Sequence, residues 1–307
     1  DPHWIRMRVN LSLVWLVFSG FTCYIWKIFY HISLAIKDIY TKCYGICMFP
    51  LYQVNATPLV IAHRGGAGLW PENTLFALQE AEKLGADLSE IDIHMTRDGV
   101  LVAIHDESLD RTTNAKGLVQ DFTFSELKKL DAAYHWTNDE GRTYPFRGRG
   151  IKIPSLNEIF SAFPKQAISI EIKQNDPPIV AALRELINHY QKTKQVLVSA
   201  FNARTMKVVR RLCPKIASAA TQVEIDRFAK LSKIFLTRPF LLSATALEVP
   251  FSVVTPHLVK AAHKKNKRVD VWTVNEIEDM EWLLALGVDG ILTDFPDKLL
   301  NLVRAKT

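Results

Sequence analysis

The chain has 307 residues, 48% of them apolar and 23% charged. That excludes a disordered or collagen-like polymer and leaves ample length for a large core. The formal charge of +6 splits evenly between residues 1–50 and the rest, so the larger part is only mildly basic and a nucleic-acid partner is not expected.

The amino-terminal residues read as a membrane anchor. From Val9 to Trp26 the chain carries no charge, with Arg6 and Arg8 before the run and Lys27 after it. As a helix this run reaches about 27 Å, close to the roughly 30 Å hydrocarbon core of a bilayer. Phe21, Tyr24 and Trp26 suit an interfacial belt. A single-pass span over residues 9–26 is the expectation, with a buried core helix as the alternative. Residues 28–36 either prolong the helix or lie along the interface. The stretch from Cys43 to Ala62, cut by Pro50 and Pro58, reads as a linker entering a strand. This divides the chain into an anchor and linker, residues 1–57, and a domain, residues 58–307. The flanking charges do not define the side of the membrane. Asn55-Ala56-Thr57 is a glycosylation sequon only if that side is lumenal. Cys23, Cys43, Cys47 and Cys213 form no CxxC pair and no disulfide framework.

After Thr57, short β-branched runs alternate with amphipathic helices. The expected strands are 59–62, 88–95, 168–173, 196–200, 216–220, 243–249, 268–274 and 290–294. Helical patterns fall over 74–85, 155–163, 178–191, 203–212, 223–235, 256–266, 276–286 and 296–304. Eight strand-helix pairs in this length predict an α/β fold, a (βα)8 TIM barrel. An open doubly wound sheet is the runner-up, but no GxGxxG follows the first strand. An excursion over residues 96–154, after the second strand, holds a further short strand, VLVAI (100–104), and the helical SELKKL (125–130). A connection this long is usually functional. The basic run from His263 to Arg268 reads as a solvated helix end before a strand.

In such a barrel the active site forms at the carboxyl ends of the strands. The first strand ends in His63-Arg64-Gly65-Gly66, and the second carries Glu90 and Asp92, two apart and so on one face. His105 closes the short strand of the excursion, and Glu171-Ile172-Lys173 ends the next barrel strand. Glu248 and Trp272 come from later strands and are expected to line the substrate pocket. Glu90, Asp92 and Glu171 are hard oxygen donors without a thiolate, a set suited to Mg2+ or Ca2+ rather than structural zinc. Arg64 and Lys173 add positive charge that would hold a phosphate. Two histidines, His63 and His105, can divide the proton work of an in-line displacement. The inventory points to metal-assisted phosphodiester cleavage.

His63-Arg64-Gly65, Pro71-Glu72-Asn73-Thr74, Glu90-Ile91-Asp92, His105-Asp106, Glu171-Ile172-Lys173, Trp272-Thr273-Val274-Asn275 and Thr293-Asp294 together resemble the glycerophosphodiester phosphodiesterase family, in order from Leu59 to Leu302. The resemblance implies a TIM barrel with an insertion after the second strand. It also implies metal binding by Glu90, Asp92 and Glu171, acid/base catalysis by His63 and His105, and phosphate binding by Arg64 and Lys173. HRGGAG (63–68), His94, KIPSLNEIFSAFP (152–164) and the apolar segment before Glu248 look closest to the membrane-anchored, lysophospholipase D-like branch. Residues 228–242 interleave Phe228, Leu231, Phe235, Leu236, Phe240, Leu241 and Leu242 with Lys230, Lys233 and Arg238. That mixture suits either contact with an anionic membrane or an ordinary barrel helix. The expected substrates are glycerophosphodiesters or lysophospholipids, with membrane lipids as partners. A non-catalytic, membrane-anchored lipid-binding or scaffold protein on the same barrel is the alternative.

Overall fold

The computed structural model describes Val54 and residues 58–306. The expected span over residues 9–26 and the sequon at Asn55 lie outside the described residues. Among the described residues no helix is long and apolar enough to cross a membrane.

Eight parallel strands form the barrel: β1 (Leu59–Ala62), β2 (Leu88–Met95), β4 (Ala167–Ile172), β5 (Val196–Ser199), β6 (Ala217–Ser218), β7 (Ala246–Pro250), β8 (Arg268–Trp272) and β9 (Gly290–Thr293). Their order is β6-β5-β4-β2-β1-β9-β8-β7, and β6 meets β7 through the parallel bridge Ala219↔Ala246, so the barrel is nearly closed. The short β3 (Leu101–Ala103) pairs antiparallel with the end of β2, Ile93 opposite Ala103. It belongs to the expected excursion, which builds a small core of its own around Val102, Ile104, Leu109, Val119, Leu127 and Ile153.

The crossover helices begin where polar residues cap them. Thr74 opens α1 (Leu75–Leu84) by accepting the amide of Ala77. Thr123, Ser155 and Thr221 make capping boxes with Glu126, Glu158 and Glu224, opening α2 (Phe124–Leu127), α3 (Leu156–Ala162) and α6 (Gln222–Lys233). Between α3 and α6 come α4 (Val180–His189) and α5 (Ala203–Leu212); α7 (Pro256–His263), α8 (Ile277–Leu286) and α9 (Pro296–Lys306) complete the ring.

The period of two along each strand separates two environments. Outward residues such as Ile91, Ile93, Ile170 and Val198 pack under the helices with Leu156, Phe160, Leu183 and Ile187. On the other side of the barrel Val60, Leu247, Val269 and Ile291 do the same with Leu258 and Leu283. Inward residues change character along the strand. Leu59, Ile61, Leu88, Ala167 and Leu292 share an apolar cluster. On the same faces, further along, stand His63, Glu90, Asp92, Glu171 and Lys173. Apart from Arg268 and Asp270 on β8, an apolar floor therefore leads into a polar mouth.

Part of the basic run is not solvated. Arg268 is fully buried, and its guanidinium donates to Asp270 Oδ1 at 2.8 Å and to the Asp289 carbonyl. The cause is register: Arg268 opens β8 with its side chain on the inward face it shares with Asp270, two residues on.

Candidate active site

β1 runs directly into a tight turn at His63, Arg64 and Gly65 in which Arg64 and Gly65 both take positive φ (51° and 82°). A Cβ on Gly65 would come within 2.9 Å of the Ala77 Cβ, so glycine lets the turn lie against α1. The turn points the Arg64 amide at Glu90 Oε2, 3.0 Å away. It also sets the His63 ring with Nδ1 2.7 Å from Asp294 Oδ1. A carboxylate acceptor there fixes the proton on Nδ1 and leaves Nε2 facing Glu90 at 3.9 Å. Asp294 is held in turn by Asn275, whose amide nitrogen donates to Oδ2 at 2.7 Å.

Glu90, Asp92 and Glu171 present carboxylate oxygens all within 4.8 Å of one another. Parallel pairing produces this, because Asp92 lies directly opposite Glu171 and Glu90 is two residues earlier on the same face. Glu90 is buried, and its Oε1 has no hydrogen-bond partner. Burial and the neighbouring charges of Asp92 and Glu171 push its carboxyl well above the usual range. Burial, followed by Asp92, also raises Glu171. Asp92 behaves oppositely: burial would raise it, but Lys173 and Arg64 outweigh that and hold it low. Lys173 Nζ stands 2.7 Å from Glu171 and 3.2 Å from Asp92, and Arg64 Nε is 3.2 Å from Asp92. Three carboxylates around an unmatched buried oxygen fit a hard divalent cation.

His105 approaches from the excursion. Its Nδ1 is 2.5 Å from Asp106 Oδ1, and burial lowers the imidazole's pKa despite the charge of Asp92. Arg111 donates to Asp106 Oδ2 at 2.6 Å and to both oxygens of Glu72, which also accepts from Arg64 at 3.0 Å. Burial opposes ionisation of Asp106, but hydrogen bonds from Arg111 and His105 take its pKa down to about 2. A polar chain thus runs His105, Asp106, Arg111, Glu72, Arg64, Asp92. Asn73, at φ 57°, also holds Asp92 through two hydrogen bonds of 3.0 Å, donating from Nδ2 to Oδ2 and accepting the Asp92 amide at Oδ1.

These groups open onto a cavity of about 200 Å3 lined by His63, Arg64, Glu90, His105, Glu171 and Lys173 at its polar end. Ala200, Phe201, Ala220, Ile225, Trp272 and Leu292 form an apolar wall, on which the Phe201 and Trp272 rings meet edge to face at 5.8 Å. Glu248 lines the same cavity and accepts from Ser169 Oγ at 3.1 Å. Burial, with Asp270 and Glu171 nearby, pushes its pKa up to about 8.

All nine residues singled out from the sequence therefore line or border one cavity. Sequence reasoning did not assign roles to Asp294, Asn275, Asp106, Glu72 and Asn73, although each stood in a quoted motif. Arg111 stood in none. Its contribution depends on the excursion folding back on Glu72, 39 residues earlier, a contact without a local signal.

Residues 63–298 match the model of the glycerophosphoryl diester phosphodiesterase family. A glycerophosphodiester phosphodiesterase of Caldanaerobacter subterraneus subsp. tengcongensis is 37% identical over 255 residues, covering 80% of this chain and 98% of that one. Human lysophospholipase D GDPD1 is 28% identical over 272 residues, covering 78% and 84% of the two chains. Among solved structures, an Oleispira antarctica phosphodiesterase in complex with the product sn-glycerol-3-phosphate superposes with a TM-score of 0.67 at 27% identity, covering 81% of this chain and 97% of that one.

Proposed function

The chain belongs to the glycerophosphoryl diester phosphodiesterase family and is a glycerophosphodiester phosphodiesterase; we propose that it is metal-dependent and cleaves between phosphorus and the head-group alcohol, on lysophospholipids as well as on glycerophosphodiesters. The observation that carries this reading is the pair of carboxylate-backed histidines, His63 on Asp294 and His105 on Asp106, set around the cluster of Glu90, Asp92 and Glu171.

Glu90, Asp92 and Glu171 would hold a divalent cation, Mg2+ or Ca2+, which when bound draws negative charge from the phosphoryl oxygens as a Lewis acid. Arg64 and Lys173 border the same space and place the phosphate by charge and hydrogen bonding. One histidine takes the proton of the attacking hydroxyl, from water or from the substrate's own glycerol. The other delivers a proton to the alcohol oxygen as its bond to phosphorus breaks. Asp294 and Asp106 fix the tautomer of each ring, so that the free nitrogen faces the substrate. Glycerophosphodiesters would yield glycerol 3-phosphate, and lysophospholipids lysophosphatidic acid.

The apolar wall from Ala200 to Leu292 supports an acylated substrate, since it offers a surface that a bare glycerol would not need. Membrane association belongs to the same proposal. Ile234, Phe235, Leu236 and Leu241 are exposed, Leu241 at 92%, among Lys230, Lys233 and Arg238, a mixture suited to an anionic lipid surface. Residues 9–26 would supply the anchor. The scaffold alternative predicts a depleted site, whereas all three carboxylates and both histidines meet here.

Choline release from glycerophosphocholine and from lysophosphatidylcholine, with Mg2+, with Ca2+ and with chelator, tests the reading. Metal-dependent release from both is expected; no metal-dependent release from any phosphodiester would refute it. Extraction of membranes with high salt tests the anchor, and complete release of the full chain would exclude a span.

A further inference from the structure

A second cavity, of about 250 Å3, adjoins the active site across Lys173. It is built from continuations of the segments that carry the catalytic groups. His94 stands two residues beyond Asp92 on the same face of β2, one step nearer the mouth. Glu107 follows His105 by two residues, and Asp176 follows Lys173 by three; both border the cavity.

Apart from Lys173, the charged groups of this lining are acidic, set among the amides of Gln120, Gln174 and Asn175. Glu107 and Asp176 are exposed and make no ion pair or side-chain hydrogen bond with any described residue. The cation at the boundary, Lys173, is turned toward Asp92 and Glu171. His94 is only 5% exposed, and its Nε2 donates to the His105 carbonyl at 3.1 Å. With Nε2–H committed, Nδ1 presents a lone pair that has no partner among the described residues, on a ring that lines the cavity. An acceptor on a buried ring that lines the cavity and two exposed carboxylates, beside the catalytic cluster and separate from the apolar wall, call for a donor-rich or positively charged occupant.

We propose that this cavity is the head-group subsite, and that His94, Glu107 and Asp176 make the enzyme prefer substrates whose leaving alcohol carries an ammonium group. The proposal rests on the phosphodiesterase reading of the adjoining site and adds a direction to it: the alcohol lies toward His94, and the glycerol side toward Phe201 and Trp272. Neither Glu107 nor Asp176 belongs to the catalytic groups, so both can be altered without touching the chemistry.

The test compares kcat/KM for glycerophosphoethanolamine and glycerophosphocholine with that for glycerophosphoglycerol, whose head group is neutral, in the wild type and in the double variant Glu107→Gln, Asp176→Asn. The cationic substrates are expected to lead by about tenfold, and the variant to lose that lead while its rate on glycerophosphoglycerol stays unchanged. Equal rates in the wild type, or an equal loss on all three substrates, would overturn the subsite. Calorimetric binding of phosphoethanolamine against methyl phosphate, on the same two proteins, reads the preference without turnover. An enzyme that binds with the predicted discrimination but cleaves nothing would refute the phosphodiesterase reading alone. Binding without discrimination would refute the subsite.

Discussion

At the residue scale, the site works through carboxylates placed in unlike surroundings. Asp106 and Asp294 are paired and lie low, whereas Glu90, Glu171 and Glu248 are desolvated among like charges and lie high. Replacing His63 or His105 by alanine should lower kcat by about 10²–10⁴ with the thermal transition retained, because each ring supplies proton transfer rather than packing. Arg111→Met should act more mildly, at about 10–100-fold in kcat, by freeing Asp106 and Glu72 from one another, with Arg111→Lys recovering part of the loss. A uniform rise in KM with kcat unchanged would contradict a positioning role for Arg111. Glu248 makes a prediction about pH. Its pKa rises from 4.5 to about 8 on folding, so the protonated form stabilises the fold fully below pH 4.5, and that contribution disappears as pH climbs to 8. In chelator, the wild-type Tm should fall across this window, and Glu248→Gln should fall less; parallel curves would show that the carboxyl is already ionised in the fold.

At the element scale, the strand and helix runs were legible and the long-range contacts were not. Strand runs such as LVIA and LSEIDIHM coincide with β1 and β2, because β-branched residues and alternating burial carry their own signal. Expected residues 243–249 became Ala246–Pro250, and the strand expected to 274 stops at Trp272. Those limits depend on which neighbours supply hydrogen bonds, and for β7 the partners are β8 and the short β6 edge. Gly290 shows what pairing imposes. It begins β9 opposite Asp270, and a Cβ there would run into the Asp270 carboxylate and come within 2.9 Å of Ile61. Gly290→Ala should therefore cost about 1–3 kcal/mol in chemical denaturation, through overpacking beside the buried Arg268–Asp270 pair. A neutral effect would mean that the barrel floor is softer than its burial suggests.

At the scale of the whole molecule, the barrel gathers mutually repelling carboxylates in its mouth and ties stability to ligand. Mg2+ or Ca2+ at a hundredfold excess over its dissociation constant should add about 2.7 kcal/mol, a rise of about 5–10 °C in Tm. Glu90→Gln separates the two contributions: it should raise Tm in chelator, since it removes a buried repelling carboxylate, and abolish the rise with metal. A cation-dependent rise that survives in the variant would place the ion elsewhere. The alternation of strands and helices was readable from the chain alone, because it is written in neighbouring residues with a period of 2 or 3.6, and the seven ordered motifs were readable through their resemblance to one family. The tertiary structure decided the rest. Tertiary folding brings Asp294 to His63 across 231 positions, sets the excursion so that Arg111 joins Asp106 to Glu72, buries Arg268 at the end of a run whose other cations stay exposed or half-buried, and aligns His94, Glu107 and Asp176 beside Lys173. Such contacts depend on three-dimensional register, and no local pattern in the chain encodes which distant residues will share a cavity.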